Sequence, residues 1–322
     1  MTINFDSIIH SDDKLILKVI IVKLCLFRNL VDQEFVIMTE RIKVESGLSF
    51  LSRLTTRPSI DTCLGPGLGP LSQFYTRVLV TGDTCLDSVG VINRYVTDVI
   101  CRTIAQLPDR DQFEELGDVD GAGVVLVDCC HHISVESIAA ELQRKLQVMA
   151  SEHWRLMKEA GIKREEREKR RITSSKQWEI VKNALSRLYI MKIYNPDNLE
   201  LSLLSLNDLL LENTTISSII IVGVNSFYHQ VKDNDGVGYN SYIRRLKQLV
   251  KDGCGDISEH VKVLAVELNI FGENNNEEID ESKKDIIVIK SNNNDKEEFY
   301  VVNFSGNSVK FKFDPKANIT WI

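Results

Sequence analysis

Residues 218–224 read SIIIVGV, and residues 123–127 read GVVLV. Neither run alternates apolar with polar residues. A strand with one wet face would alternate, whereas an unbroken apolar run suits a parallel strand covered on both faces. Working outward, each run is followed by a stripe at helical spacing. Val135, Ile138, Leu142 and Leu146 follow GVVLV; Tyr239, Ile243, Leu246 and Val250 follow SIIIVGV. Upstream, Arg77–Thr81 (RVLVT) is a short strand, then Gly82–Gly90 a loop, then a helix from Val91 to near Pro108. Between the two runs, Leu188–Ile193 (LYIMKI) is another strand, and Leu199, Leu203, Leu206 and Leu210 stripe another helix. Val261–Ile270 makes a fifth strand. Alternation of this kind predicts β–α units on a mostly parallel central sheet with right-handed crossovers.

The pattern divides the chain of 322 residues into a core over 38–271 and flanking pieces. Residues 1–37 contain an apolar stretch, Leu15–Leu30, interrupted by Lys18, Lys23 and Arg28. A membrane span needs about 20 mostly apolar residues, so this is not one. Asp6, Asp12 and Asp13 stand where a signal peptide carries positive charge. Met38 opens a segment that looks like an ordinary protein start. Residues 1–37 are thus either an extension outside the core or a buried strand or helix. Residues 272–298 are acidic and Asn-rich, and mobile apart from a strand-like run at Asp285–Ile289. Residues 299–322 hold VVNF and SVKFKF around SGN, a β-hairpin for the edge of the parallel sheet.

Charge is unevenly spread. The chain is acidic overall, with net charge −7, yet Arg155–Lys176 holds nine Lys/Arg against four Glu. That insertion, 155–176, is either a long solvated helix or a surface for nucleic acid or an acidic partner. A net negative protein is not one that coats DNA alone. Seven cysteines, odd in number, widely spaced and without a CxxC pair, indicate a reduced intracellular chain.

Chemistry is sought first in the loop after the first strand. In a nucleotide-binding α/β fold that loop cradles phosphates with backbone N–H groups, while a Lys reaches the outer phosphates and a Ser/Thr holds Mg²⁺. The corresponding positions here are Gly82, Thr84, Asp87, Ser88 and Val89. Only the leading glycine fits. Asp87 would repel phosphate, and Ser88 and Val89 stand where Lys and Thr belong. An ATPase of this type also ends its fourth strand with a carboxylate for Mg²⁺, but Val222 and Gly223 occupy that end. Cys129-Cys130-His131-His132 has zinc-ligating residue types without a second pair at typical spacing. No metal site and no catalytic residue is assigned.

The strings ESGLSFLSRL at 45–54, VVLVDCCHH at 124–132, SKQWEIVKNALSRLYIMKIYNPDNLELSLLSLNDLL at 175–210, SIIIVGVNSFYH at 218–229 and SGNSVKF at 305–311, with the order of elements, resemble the eukaryotic RecA-like recombinase paralogues. The nearest likeness is to a small member without the N-terminal helical domain, and it covers roughly residues 40–313. The resemblance implies a RecA-type P-loop ATPase core, ATP as cofactor and nuclear location. It implies membership in a complex that supports recombinase filaments on single-stranded DNA during homologous-recombination repair of double-strand breaks and cross-links. The implied partners are other RecA-like paralogues, especially the D-type, met through Glu45, Leu48, Leu51 and Leu54. Single-stranded DNA would be reached mainly through the complex, with Tyr228, His229 and Lys232 on a DNA-proximal loop. The degenerate DSV at 87–89 departs from the family and argues against ATP hydrolysis. Two alternatives stay open: a motif-less scaffold of another assembly, such as a tRNA-modifying complex, and an active ATPase with an atypical phosphate loop.

Overall fold

The computed structural model describes residues 57–58, 64, 68, 71, 73–81, 85–105, 121–169, 171, 173–267, 286–294, 297–304, 307–313 and 319–322. The N-terminal extension 1–37 and the segment 272–285 lie outside them. The strands are β1 (Tyr75–Thr81), β2 (Gly123–Asp128), β3 (Leu188–Lys192), β4 (Ile216–Val222), β5 (Lys262–Glu267), β6 (Ile286–Asn294), β7 (Glu297–Phe304), β8 (Asn307–Phe313) and β9 (Ile319–Trp321). They form one sheet in the order β3-β2-β4-β5-β1-β6-β7-β8-β9. β3 through β6 in that order are parallel, and β6 through β9 are antiparallel. The chain is therefore a mixed α/β protein with a mostly parallel sheet and an antiparallel C-terminal extension, as the apolar runs and the SGN hairpin lead one to expect.

The helices are α1 (Cys85–Ala105), α2 (Val135–Glu159), α3 (Arg164–Lys169), α4 (Ser174–Leu185), α5 (Pro196–Leu204), α6 (Leu206–Glu212), α7 (Tyr228–Asp235) and α8 (Tyr239–Cys254). The first two crossovers move from β1 outward to β2 and β3; the next two move back to β4 and β5. Right-handed connections then place the two sets on opposite faces. On one face α1, α2 and α4 bury Ile92, Val99, Leu142 and Val181 against Val124, Leu126 and Ile220. On the other, α5, α6 and α8 bury Leu203, Leu210, Leu246 and Val250 against Val125, Ile219 and Ile221. β2 and β4 are buried along their whole lengths, which is why they carry no alternation. Each square ångström of apolar area removed from water contributes about 25 cal/mol.

Four expectations need correction. Cys85–Gly90 is helix, not loop: no glycine or proline interrupts Cys85–Val89, so nothing in that run breaks the helix. The Leu199–Leu210 stripe is two helices. The heptad-like leucines continue across Ser205, but its N–H bonds back to Leu201 and closes α5. The basic insertion is not one long helix. Gly161 takes a left-handed φ of 72° after α2, and the chain re-enters helix only at Arg164. Last, β6 runs nine residues, past the strand-like run Asp285–Ile289 and into the span where mobility is expected. β1 pairs with Ile286–Lys290 on one side and β7 with Ile287–Asn294 on the other, so the polar tail Ser291–Asn294 is held as strand by β7 alone.

Candidate functional site

In an open α/β sheet, ligands bind outside the carboxyl ends of the strands where neighbouring connections leave to opposite faces. Here that place lies between β2, which leads to α2 on one face, and β4, which leads to α7 and α8 on the other. β2 ends at Asp128, which is fully buried. Its Oδ1 accepts from the backbone N–H of Cys130 at 3.1 Å and of His131 at 2.8 Å. Its Oδ2 accepts from Lys192 Nζ at 2.6 Å, at the end of the neighbouring strand β3. Lys192 Nζ also donates to Ile133 O at 2.9 Å. Asp128 thus folds the loop after β2 and ties it to β3.

Gly223 follows β4 directly, in a left-handed φ of 73°. A Cβ added there would lie 2.0 Å from Cys130 Sγ and 2.6 Å from Ser226 Oγ. Those two side chains contact each other at 3.0 Å. Burial raises the Cys130 thiol pKa, partly offset by the Ser226 hydrogen bond. The crevice is therefore closed by Cys130, Ser226 and Gly223. A carboxylate on the fourth strand at 223 has no room, and Val222 is wholly buried.

β5 also ends in a carboxylate, Glu267. Arg77 of β1 grips it from Nε at 2.5 Å and from a terminal guanidinium nitrogen at 3.0 Å, and Tyr239 donates its hydroxyl at 2.5 Å. Burial, then the Glu267 charge, pushes the Tyr239 phenol well above its usual range. Of the two carboxylates that end β2 and β5, each is already engaged by a cation and by further donors. Neither is open to magnesium, and the residues around β4 do not fit a nucleotide's metal-bound phosphates.

The positions singled out from sequence fall as follows. Gly82 and Thr84 lie outside the described residues. Asp87 and Ser88 sit in the first turns of α1, and Val89 packs partly buried against the core of that face. β1 ends at Thr81 and α1 starts at Cys85, so three residues separate strand from helix. A phosphate loop of the G-x-x-x-x-G-K-[ST] kind needs a longer connection. Glu45, Leu48, Leu51 and Leu54 lie outside the described residues. Just after them, Arg57 donates to Leu210 O at 2.7 Å and to Ile216 O, and Ser217 donates to Pro58 O at 2.7 Å. That anchors this part of the chain at the amino end of β4.

Tyr228, His229 and Lys232 are not on a loop; they belong to α7. His229 and Lys232 are exposed. Tyr228 packs edge-on to Tyr239, with ring centroids 5.1 Å apart, and against Tyr242 at 5.7 Å. Its ring is half-buried among these aromatics. The CCHH run is dispersed. Cys129 enters the core under α5, Cys130 meets Ser226, His131 stacks on Tyr194 at 4.3 Å, and His132 is exposed. Among the described residues no group of three His, Cys, Asp or Glu side chains is placed to hold a metal ion, and no helix is long and apolar enough to cross a membrane.

Sequence reasoning missed Asp128, Glu267 and Arg77. Asp128 stands directly before the CCHH run, and a lone carboxylate at a strand end was the available signal. No protein-family model matches the chain, and no curated protein matches it.

Proposed function

We propose that this chain is a non-catalytic RecA-like subunit of a recombinase-paralogue complex. Its role is to present an interface that supports recombinase filaments on single-stranded DNA in homologous-recombination repair. The fold it would share is the RecA-type P-loop core, with the phosphate loop lost. The reading starts from the strings at 45–54, 124–132, 175–210, 218–229 and 305–311. The observation that carries its non-catalytic half is the closure between β2 and β4: Cys130 and Ser226 fill the space beside Gly223 where an ATPase keeps a carboxylate. A subunit that works by presenting surfaces keeps its packed sheet while its nucleotide chemistry drifts, since strands such as Ile216–Val222 are stabilised by burial alone.

The reading puts the protein in the nucleus, with other RecA-like paralogues, above all the D-type, as partners. Contact with them runs through the segment containing Glu45, Leu48, Leu51 and Leu54. ATP is not a working cofactor in this account. Thermal unfolding with and without millimolar Mg-ATP tests that half directly. An unchanged melting temperature is expected. A ligand that binds only the native state at 100 times its Kd stabilises by about 2.7 kcal/mol, so a rise of several degrees would restore the active-ATPase reading.

A further inference from the structure

The insertion at 155–176 is unused by this reading, and it is where the chain concentrates positive charge. The end of α2, α3 and the start of α4 enclose an open groove of about 940 Å³. Trp154 lies in it. The guanidinium of Arg167 sits 5.1 Å from the Trp154 ring centroid, and that of Arg171 sits 5.9 Å away. Arg171 is 65% exposed, so its outer face is open to solvent while its inner face covers the indole. Besides Trp154, Ala150 and Met157 the lining is polar, Gln147, Ser151, Thr173 and Gln177 among it, with Glu168 as its carboxylate.

Charge around the groove is partly neutralised. Arg155 is held by Glu152 and Glu159, and Arg171 reaches Glu168 at 3.7 Å. Lys158, Arg164 and Lys176 are exposed and have no ion pair among the described residues. Lys158 follows Trp154 by four residues, and Arg164 precedes Arg167 by three. At those spacings Lys158 shares a helix face with Trp154 and Arg164 with Arg167, and Lys176 precedes Gln177 of the groove lining in the chain; the charged side chains of the lining itself are Arg171 and Glu168.

We propose that this groove binds a single strand of nucleic acid, with Lys158, Arg164 and Lys176 on phosphates and the Arg171 guanidinium stacked on a base. Two features favour a nucleic-acid strand over an acidic peptide. Protein-docking hot spots sit in well-packed, fully desolvated pockets, whereas this groove is open and its lining is mainly polar. Guanidinium and aromatic planes stack bases of any sequence, and a cationic groove tracks the backbone. The inference does not depend on the paralogue reading: it gives this subunit a strand contact of its own, whichever assembly it joins.

Fluorescence anisotropy of a labelled 30-nucleotide oligo-dT with the full chain tests it, against a variant carrying Lys158→Gln, Arg164→Gln and Lys176→Gln. All three side chains are solvent-exposed, and an unchanged circular dichroism spectrum and melting temperature verify that the variant folds. The variant is expected to bind at least tenfold more weakly in low salt. Each phosphate contact on a single strand contributes about 0.7 to the slope of log affinity against log salt, so the slope should flatten by about 2. Equal binding of oligo-rU supports a site that reads backbone and base faces. Equal affinity and slope in the two proteins would overturn the proposal, as would equally tight binding of labelled polyglutamate. A partner purification lacking RecA-like proteins would sink the paralogue reading and leave this result standing.

Discussion

Gly223 and Cys130 meet at the carboxyl end of the sheet so closely that a Cβ on Gly223 would stand 2.0 Å from the Cys130 sulfur. The contact locks β4 to the loop after β2 at the strand end where a P-loop ATPase carries its Mg²⁺ carboxylate. It makes the absence of a carboxylate there a matter of packing as well as of residue identity, and introducing one by a single substitution should fail.

Gly223→Asp is expected to destabilise the fold by about 2–5 kcal/mol, because a left-handed non-glycine residue costs about 1–3 kcal/mol and overpacking a similar amount. Urea unfolding measures it. A loss below about 1 kcal/mol would mean that Cys130 and Ser226 yield easily and that the crevice can open.

Asp98 on α1 should set an acid limit on stability. It is buried and held by Arg102 at 2.8 Å and by Lys145, and it accepts from Trp321 Nε1 of β9 at 3.3 Å. Burial alone would raise its pKa, but the charges and hydrogen bonds of Lys145 and Arg102 outweigh burial and hold it below the usual carboxylate value. A carboxylate depressed in the folded state contributes stability that is present above its unfolded pKa, about 3.9, and is lost as pH falls through the folded value. Stability should therefore drop as pH falls below about 4. Asp98→Asn should be less stable at pH 7 and flatter below pH 4, by urea midpoints across pH. An unchanged acid slope would contradict the assignment.

Cys254 at the end of α8 is expected to resist alkylation in the native state. Burial, opposed by the Arg57 charge, pushes its thiol up to about 12, so almost none is thiolate at pH 8. Mass spectrometry after iodoacetamide should find Cys254 labelled in urea and unlabelled without it. Rapid native labelling would show that the Arg57 anchor opens.

Replacing Tyr228 by Ala should lower stability by about 2–4 kcal/mol, because its ring packs against Tyr239 and Tyr242. If the ring instead stacked a base, stability would hold and oligo-dT affinity would fall; calorimetry and anisotropy on the same variant separate the two.

The apolar strands were legible because both their faces are buried, as at Ile219 and Ile220, so side-chain type alone marked them. α7 was not legible. Tyr228–Asp235 has no fully buried residue and ends in two aspartates, which read as loop; Gly236 at φ 65° and the packing of Val231 hold it. The site was the least legible part. Asp128 needs Lys192, 64 residues away, and Glu267 needs Arg77, 190 residues away. No spacing rule connects partners that only the strand order β3-β2 and β5-β1 brings together. The phosphate-loop departures could be read one position at a time, but the Cys130–Gly223 closure could not, since it depends on β2 lying beside β4.

The most direct measurement on the central claim is affinity purification of the tagged full chain from DNA-damaged cells, with partners identified by mass spectrometry. The account predicts stoichiometric recovery of at least one other RecA-like paralogue. A reproducible partner set with no RecA-like protein in it, for example one made of tRNA-modifying proteins, would contradict it.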